Sequence, residues 1–350
     1  MAVRGCALKA IVLQGYGGPE QFAAVDMPDP VPRDDEVLVR LRASGVCYHD
    51  VLARQGHFPR TVVPGIIGHE MAGEVARPGA RCSAFAAGDR VAILMKDHCG
   101  HCAQCLRARD HLCERGAGLY GEAVPGGYAE YVAVPERSLV RIPEGVSFEQ
   151  AAVVPCALGT AYHGLQRIAA VTPGEAVLVT GASGGVGIHA VQVARLLGAR
   201  TIAVTTSAAK RDFLVEHGAD DVIVSPDLDF AAAARSLTGG AGVDVVFNIV
   251  GQLAWAAALK SMALGARHVF VGNLNAAPVS LRPAHAILKE MSFLGTDGVT
   301  RAEVQTLLEL VRLGRLRPVV GGSLPLAEAP AAHRMMESRA ALGRLVLTIA

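Results

Sequence analysis

Residues 45–50 read GVCYHD, so Cys47 has His49 two positions on and Asp50 three positions on. A thiol in this setting is a core residue, half of a disulfide, a nucleophile or a metal ligand, and no second cysteine lies within thirty residues to choose among them. Two later stretches supply partners. PGIIGHEMAG (64–73) carries His69 and Glu70, and VPCALGTAYHG (154–164) carries Cys156. Each alone reads as packing. Together, Cys47, His69 and Cys156 make a Cys–His–Cys set, and three protein ligands with an open fourth position is the pattern of a catalytic zinc. Such an ion polarises a carbonyl or lowers the pKa of an alcohol. Glu70 is a candidate exchangeable ligand, and Asp50 a candidate acceptor that orients a ligand.

A second cluster is denser. CGHCAQCLRARDHLC places Cys99, Cys102, Cys105 and Cys113 at spacings of two, two and seven residues. Four thiolates on a short loop close tetrahedrally around one structural zinc, with no position left for substrate. An iron–sulfur cluster is the nearest rival. His98, His101 and His111 are surplus to four sulfurs and read as solvated loop histidines.

A third group binds rather than reacts. TGASGGVG (180–187) follows an apolar run and opens a helix-like stretch, the context in which a glycine pattern signals a dinucleotide loop. Gly181 and Gly184 are expected to permit the tight turn, and Gly185 and Gly187 to let backbone and helix N-terminus approach a pyrophosphate. Selectivity is read at the end of the next run, AVTTSAAKR. An acid there would bind the ribose 2′-hydroxyl of NAD, but Thr205 takes its place. Ser207, Lys210 and Arg211 are available for a 2′-phosphate, so NADP(H) is expected rather than NAD(H). Val271, which closes the run 267–271, joins the expected cofactor contacts.

These groups need elements to hold them. A chain of 350 residues suits two domains, and 51% apolar with 19% charged residues gives sizeable cores. The first ~150 residues hold short β-type runs among Gly and Pro, at Val37–Leu41, Val91–Leu94 and Tyr128–Val134. Further on, apolar runs at 176–180, 201–205, 221–224, 243–247, 267–271 and 291–295 alternate with helix-like stretches such as 187–197 and 208–217, closed by Gly198 and Gly218. That alternation means a parallel sheet covered on both faces, a doubly wound Rossmann domain of six strands. The helix pattern AEVQTLLELVRLG and the apolar ending GRLVLTI lie beyond it and are expected to rejoin the first domain. The expected division is 1–157 with 296–350, including a zinc lobe at about 95–115, and 158–295 for the nucleotide domain.

The formal net charge of +1 supplies no basic field for nucleic acid or an anionic membrane. MAVRGCALKAIVLQG is broken by Lys9 and lacks the apolar stretch of a leader, and no run approaches a membrane span. A cytoplasmic enzyme with a small-molecule substrate is expected.

In order and interval, GVCYHD, GHE, the four-cysteine loop, PCALGTAY and GASGGVG resemble the zinc-dependent alcohol dehydrogenases of the medium-chain dehydrogenase/reductase superfamily. The resemblance spans essentially the whole chain. It implies an α/β protein with a GroES-like catalytic domain and a Rossmann domain, Cys47, His69 and Cys156 on catalytic zinc, Thr160 beside the nicotinamide with Val186 packed behind it, and a homodimer or homotetramer. Most of these enzymes carry Ser or Thr where this chain has His49. CYHDVLARQGHFPR, TGASGGVGIHA and HAILKEMSFLG are similar to a branch that includes archaeal NADPH-dependent acryloyl-CoA reductases. The leading expectation is alcohol–carbonyl interconversion with His49 moving the hydroxyl proton. Its rival is reduction of an enoyl thioester, with Arg54 and Arg60 available for a CoA group. A non-catalytic NADPH-binding protein is the third reading, and the intact ligand set argues against it.

Overall fold

The structure is a computed structural model and describes residues 7–275 and 277–350. The first six residues of the stretch examined for a leader lie outside that description. The chain forms two compact units, one running up to Cys156 and resuming at Val299–Ala350, the other Ala157–Gly298. The division expected from the sequence changes at 157/158 and 295/296, and that between the compact units at 156/157 and 298/299.

The first unit is built on a seven-stranded sheet. Its longest strand, Glu36–Val46, pairs antiparallel with Glu70–Pro78, with Arg344–Thr348 and with Tyr131–Pro135. Val37, Val39 and Leu41 point to one face, where they meet Met71, Val75, Val91 and Ile93 in a buried cluster. Each such aliphatic side chain contributes about 1.5–3 kcal/mol by leaving water. Their shared face helps fix the register, because a slip of one residue would turn this apolar set to the other face. The register matters for the site: Gly45 faces Glu70, and Val46 faces Leu345. The end of one strand and the starts of two others therefore bring Cys47, His69 with Glu70, and Arg344 to one place. The Tyr128–Val134 run starts its strand only at Tyr131, three residues late.

Cys156 arrives on a helix. Ser147 accepts a hydrogen bond from the Gln150 amide, and the Gln150 side chain accepts one from the Ser147 amide, which starts helix Phe148–Val153. Pro155 lacks an amide hydrogen, and the helix continues as a widened π-turn over Val154–Leu158 that carries Cys156.

The second unit holds six parallel strands in the order Asp221–Val224, Arg200–Thr205, Ala176–Val179, Val243–Asn248, Met262–Phe270, Ser292–Gly295. This is the doubly wound arrangement, with its reversal at Ala176–Val179, where ligands bind beyond the strand ends. Strand residues are buried on both faces, as a helix-covered sheet requires. Gly198 and Gly218 end their helices at φ +79° and +104°. The 208–217 stretch is less regular than expected, a 3-10 turn at Ala208–Lys210 followed by helix Arg211–Glu216.

Candidate active site

The side chains of Cys47, His69, Glu70 and Cys156 each offer a ligand atom, and these atoms lie within 4.8 Å of one another. Cys47 directly precedes helix Tyr48–Arg54, whose third residue, Asp50, accepts from the Cys47 amide at 2.9 Å. The other oxygen of Asp50 lies 3.1 Å from His69 Nδ1, which leaves Nε2 as the imidazole's ligand atom. Glu70 fits only because Gly45 faces it: a Cβ there would lie 2.1 Å from Glu70 Oε2. Arg344, also buried, comes within 3.0 Å of Glu70 Oε1, yet it is not aimed to donate, and both Glu70 oxygens lack a hydrogen-bond partner.

A hydrogen bond from Cys156 holds the Cys47 thiol well below its ordinary range, while the same bond and burial push Cys156 well up. Burial works against the His69 cation, but Asp50 and Cys47 together outweigh it and the net shift is upward. Burial pushes Glu70 up to about 7 against the opposing pull of Arg344. A carboxylate without donors, a thiolate and a second thiol, crowded beside an oriented imidazole, make a donor set that fits a cation such as zinc.

His49 lies beside this set, its ring 5.5 Å from that of His69 and nearly perpendicular to it. It stacks on Phe58 at 4.1 Å and 10°, and its Nε2 lies 2.9 Å from Glu122 Oε1.

The four-cysteine loop closes on itself. Sulfur separations include 3.5 Å for Cys102–Cys105, 3.8 Å for Cys102–Cys113 and 4.0 Å for Cys99–Cys105. Four sulfurs at ~2.3 Å around a tetrahedral zinc stand about 3.8 Å apart, so the spacing fits that ion and is far too long for a disulfide. Backbone amides of Cys99 and Gly116 donate to Cys113 Sγ, both at 3.2 Å, and that of Cys102 to Cys99 Sγ at 3.3 Å; backbone amides hold Cys99 below its ordinary range, while burial pushes Cys105 up to about 12. The neighbouring histidines correct an expectation. His101 is exposed, but His98 and His111 are buried rather than solvated.

In the second unit the dinucleotide loop follows strand Ala176–Val179 and starts helix Gly185–Leu196. Gly181 adopts φ +61°, a conformation that favours glycine. Gly184 does not: it caps the helix at φ −82°, ψ 178°, extended backbone open to any residue, so the turn does not require it. Gly187 is needed for closeness, since a Cβ would meet Gly181 O at 2.3 Å and Ala182 Cα at 2.7 Å. This tight cradle with the helix N-terminus at its base, where Gly185, Val186 and Gly187 form the first turn, fits a pyrophosphate. Thr180 Oγ1 donates to Asn248 and accepts from the Ile249 amide, tying the loop to the next strand. Thr205 is buried at its strand's end and Ser207 follows half-buried, its amide 3.4 Å from Thr205 Oγ1. Lys210 is half-buried, Val271 donates its amide to Asn248 O, and Thr160 is buried in helix Gly159–Tyr162.

Arg54, considered for a CoA group, is fully buried and bonded to Gly17 O and Glu337. Arg60 is exposed. Sequence reading missed Arg344, Tyr128, His333, Glu122 and Phe58. Arg344 alone left a signal, a charge opening an otherwise apolar run.

An enzyme with a donor set for zinc in a β-rich unit and a nucleotide cradle in a doubly wound unit is a zinc-type dehydrogenase or reductase. Residues 33–144 match the alcohol dehydrogenase GroES-like domain, and 185–312 the zinc-binding dehydrogenase domain. The chain belongs to the zinc-type medium-chain dehydrogenase/reductase family and is an oxidoreductase. It is 36% identical over 342 residues to the acryloyl-coenzyme A reductase of Sulfurisphaera tokodaii, covering 97% of this chain and 99% of that protein. It is 34% identical to an alcohol dehydrogenase of Geobacillus stearothermophilus, covering 89% and 91%. The crystal structure of AibC superposes with a TM-score of 0.92 at 47% identity, covering 99% and 96%. Zinc and a nicotinamide nucleotide are the family's cofactors. No helix among the described residues is long and apolar enough to cross a membrane.

Proposed function

We propose that this oxidoreductase reduces the C=C bond of a short enoyl thioester with NADPH. The observation that carries the reading is His49, an imidazole held by Glu122 and Phe58 beside the metal-site histidine, where the alcohol dehydrogenase pattern has a hydroxyl. Cys47, His69 and Cys156 would hold a catalytic zinc with Glu70 as the exchangeable ligand, and Cys99, Cys102, Cys105 and Cys113 a structural one. Bound zinc supplies positive charge that draws electrons toward a substrate carbonyl, and bound nicotinamide supplies the hydride.

The protein's own residues supply proton and position. With Nε2–H of His49 given to Glu122, the proton delivered to the α-carbon leaves from Nδ1 of the imidazolium, which becomes the neutral Nε2–H imidazole and regains its proton from water; stacking on Phe58 fixes the ring plane. Asp50 orients His69. Gly181, Gly185 and Gly187 admit the pyrophosphate; Thr160, Val186 and Val271 surround the nicotinamide. The lack of an acid after strand Arg200–Thr205, with Ser207, Lys210 and Arg211 following, supports a 2′-phosphate there. Exposed Leu264, Ile287 and Leu288 support a homo-oligomer.

Alcohol–carbonyl interconversion is the second reading, favoured by the complete Cys–His–Cys set and the 34% identical alcohol dehydrogenase. There His49 would exchange its proton with oxygen instead of carbon. The test is oxidation of NADPH, with NADH alongside, against acryloyl-CoA, crotonyl-CoA, aldehydes and ketones, with zinc measured on the same sample. Turnover of the enoyl esters with NADPH and two zinc ions per chain is expected. Turnover of carbonyls alone would replace this reading with the second, and turnover of nothing would refute both.

A further inference from the structure

Behind Asp50 runs a line of buried polar groups that the proposed chemistry does not use. Asp50 accepts from the Cys47 amide, stands 3.1 Å from His69 Nδ1, and lies 3.3 Å from the Tyr128 hydroxyl. No lysine or arginine among the described residues makes an ion pair with it. Tyr128 in turn lies 3.1 Å from Nε2 of His333, on helix Ala329–Glu337. Tyr128 and His333 are both fully buried. The rings of His333 and Phe22 meet edge to face with centroids 4.8 Å apart, and His333 Nδ1 has no hydrogen-bond partner.

Only one arrangement of protons suits this line. A carboxylate accepts and does not donate, so the single proton of Tyr128 points to Asp50. The tyrosine oxygen then accepts from its other neighbour, so His333 must donate from Nε2. Burial, against a smaller pull from Asp50, brings His333 down to about 4, so near neutral pH it carries one ring proton. With that proton on Nε2, Nδ1 is a bare lone pair, in keeping with its lack of a partner.

We propose that Tyr128 and His333 are positioning residues for the metal site: His333 donates from Nε2 to Tyr128, Tyr128 donates to Asp50, and Asp50 is thereby held as the acceptor that turns His69 Nε2 toward the ligand cluster. The proposal rests on the reading of Cys47, His69 and Cys156 as zinc ligands. It gives helix Ala329–Glu337, far away in sequence, a part in setting metal affinity.

The first test uses the unaltered zinc-loaded protein. Ring ¹⁵N shifts of histidine-labelled enzyme at pH 7.5, with His333 assigned by its loss in His333→Gln, should show the neutral Nε2–H form; an Nδ1–H form or an imidazolium overturns the proposal. The second is chelator competition on Tyr128→Phe, His333→Phe and His333→Gln. Zinc at one of the two sites should bind about tenfold more weakly in the two Phe variants, the low end for groups supporting a ligand from outside. His333→Gln should restore most of that affinity, because its amide nitrogen donates from near the position of Nε2. Zinc retained at the four cysteines shows that the variant has folded. Unchanged affinity in Tyr128→Phe, or a glutamine no better than phenylalanine, overturns the proposal. If the two Phe variants fail to fold, the ring shifts, assigned through His333→Gln, decide. Unaltered protein holding only the four-cysteine zinc refutes the ligand assignment instead, and the ring shifts still report on the line itself.

Discussion

Two glycines of one motif should respond differently to the same substitution. At Gly187 an alanine Cβ would stand 2.3 Å from Gly181 O and 2.7 and 2.8 Å from backbone atoms of Ala182. Ordinary contacts of this kind are above 3 Å, so helix and loop must separate by about 1 Å in a close-packed region, an overpacking that costs about 1–3 kcal/mol. Alanine returns up to ~1 kcal/mol of helix propensity, so the net loss should be about 1–2 kcal/mol. At Gly184 the nearest atom outside its neighbours is Gly181 O at 3.5 Å and the backbone is extended, so alanine should change the cofactor-free protein by less than ~0.5 kcal/mol. The chain's single tryptophan, Trp255, is buried in the same unit as both glycines, so its fluorescence during urea unfolding without cofactor reports on the right transition. NADPH titration should show Gly187→Ala at least tenfold weaker, because the first-turn amides move from their place. If Gly187→Ala unfolds at the same urea concentration as Gly184→Ala, the reasoning from the cradle fails.

Two further outcomes follow from buried charge. Arg344→Met leaves Glu70 without its only ion-pair partner among the described residues, and breaking such a pair costs about 3–5 kcal/mol; adding Glu70→Gln should recover more than half of that in thermal unfolding followed by circular dichroism. His268 is brought down to about 4 by burial, so between ~pH 6.5 and 4 the unfolded chain takes up a proton that the folded one refuses. Its contribution is intact above pH 6.5 and falls away by up to about 3 kcal/mol on acidification to pH 4; Trp255, 5.1 Å from the His268 ring, should report a flatter acid dependence in His268→Gln.

How far a feature could be read from sequence tracks how close its parts lie along the chain. The four cysteines span fifteen positions and the glycine loop seven, so both were visible as spacing. The six-strand alternation was visible because strands buried on both faces are continuous apolar runs. What escaped were partners brought in by pairing of distant segments. Glu122 is 73 residues from His49, Tyr128 is 78 from Asp50, and His333 is 205 from Tyr128. None has a local pattern, since a lone buried histidine or tyrosine looks like any core residue until the register of a strand places it. Arg54 shows the converse: the sequence leaves it available for a CoA group, while Gly17 and Glu337 hold it fully buried.

Arg344 shows why such a partner belongs to the site and is more than an accident of packing. Burying a guanidinium beside a sheet core is costly unless its charge is answered. Without a metal the pocket answers it with Glu70 and with the one thiolate that Cys47 and Cys156 share. On the proposed assignment, a divalent ion with both thiols ionised is already neutral, and an approaching Glu70 carboxylate would leave one negative charge in excess. Arg344 supplies the matching positive charge through a position in which it reaches Glu70 and the Val46 carbonyl together. The arginine therefore opposes the effect of burial on Glu70, favouring the carboxylate that an exchangeable ligand must present. Gly45 keeps the space for the carboxylate, and the pairing of Val46 with Leu345 sets the distance. Charge balance at the metal site is in this way written into strand register, through the pairing of the chain's final strand with the strand that ends before Cys47.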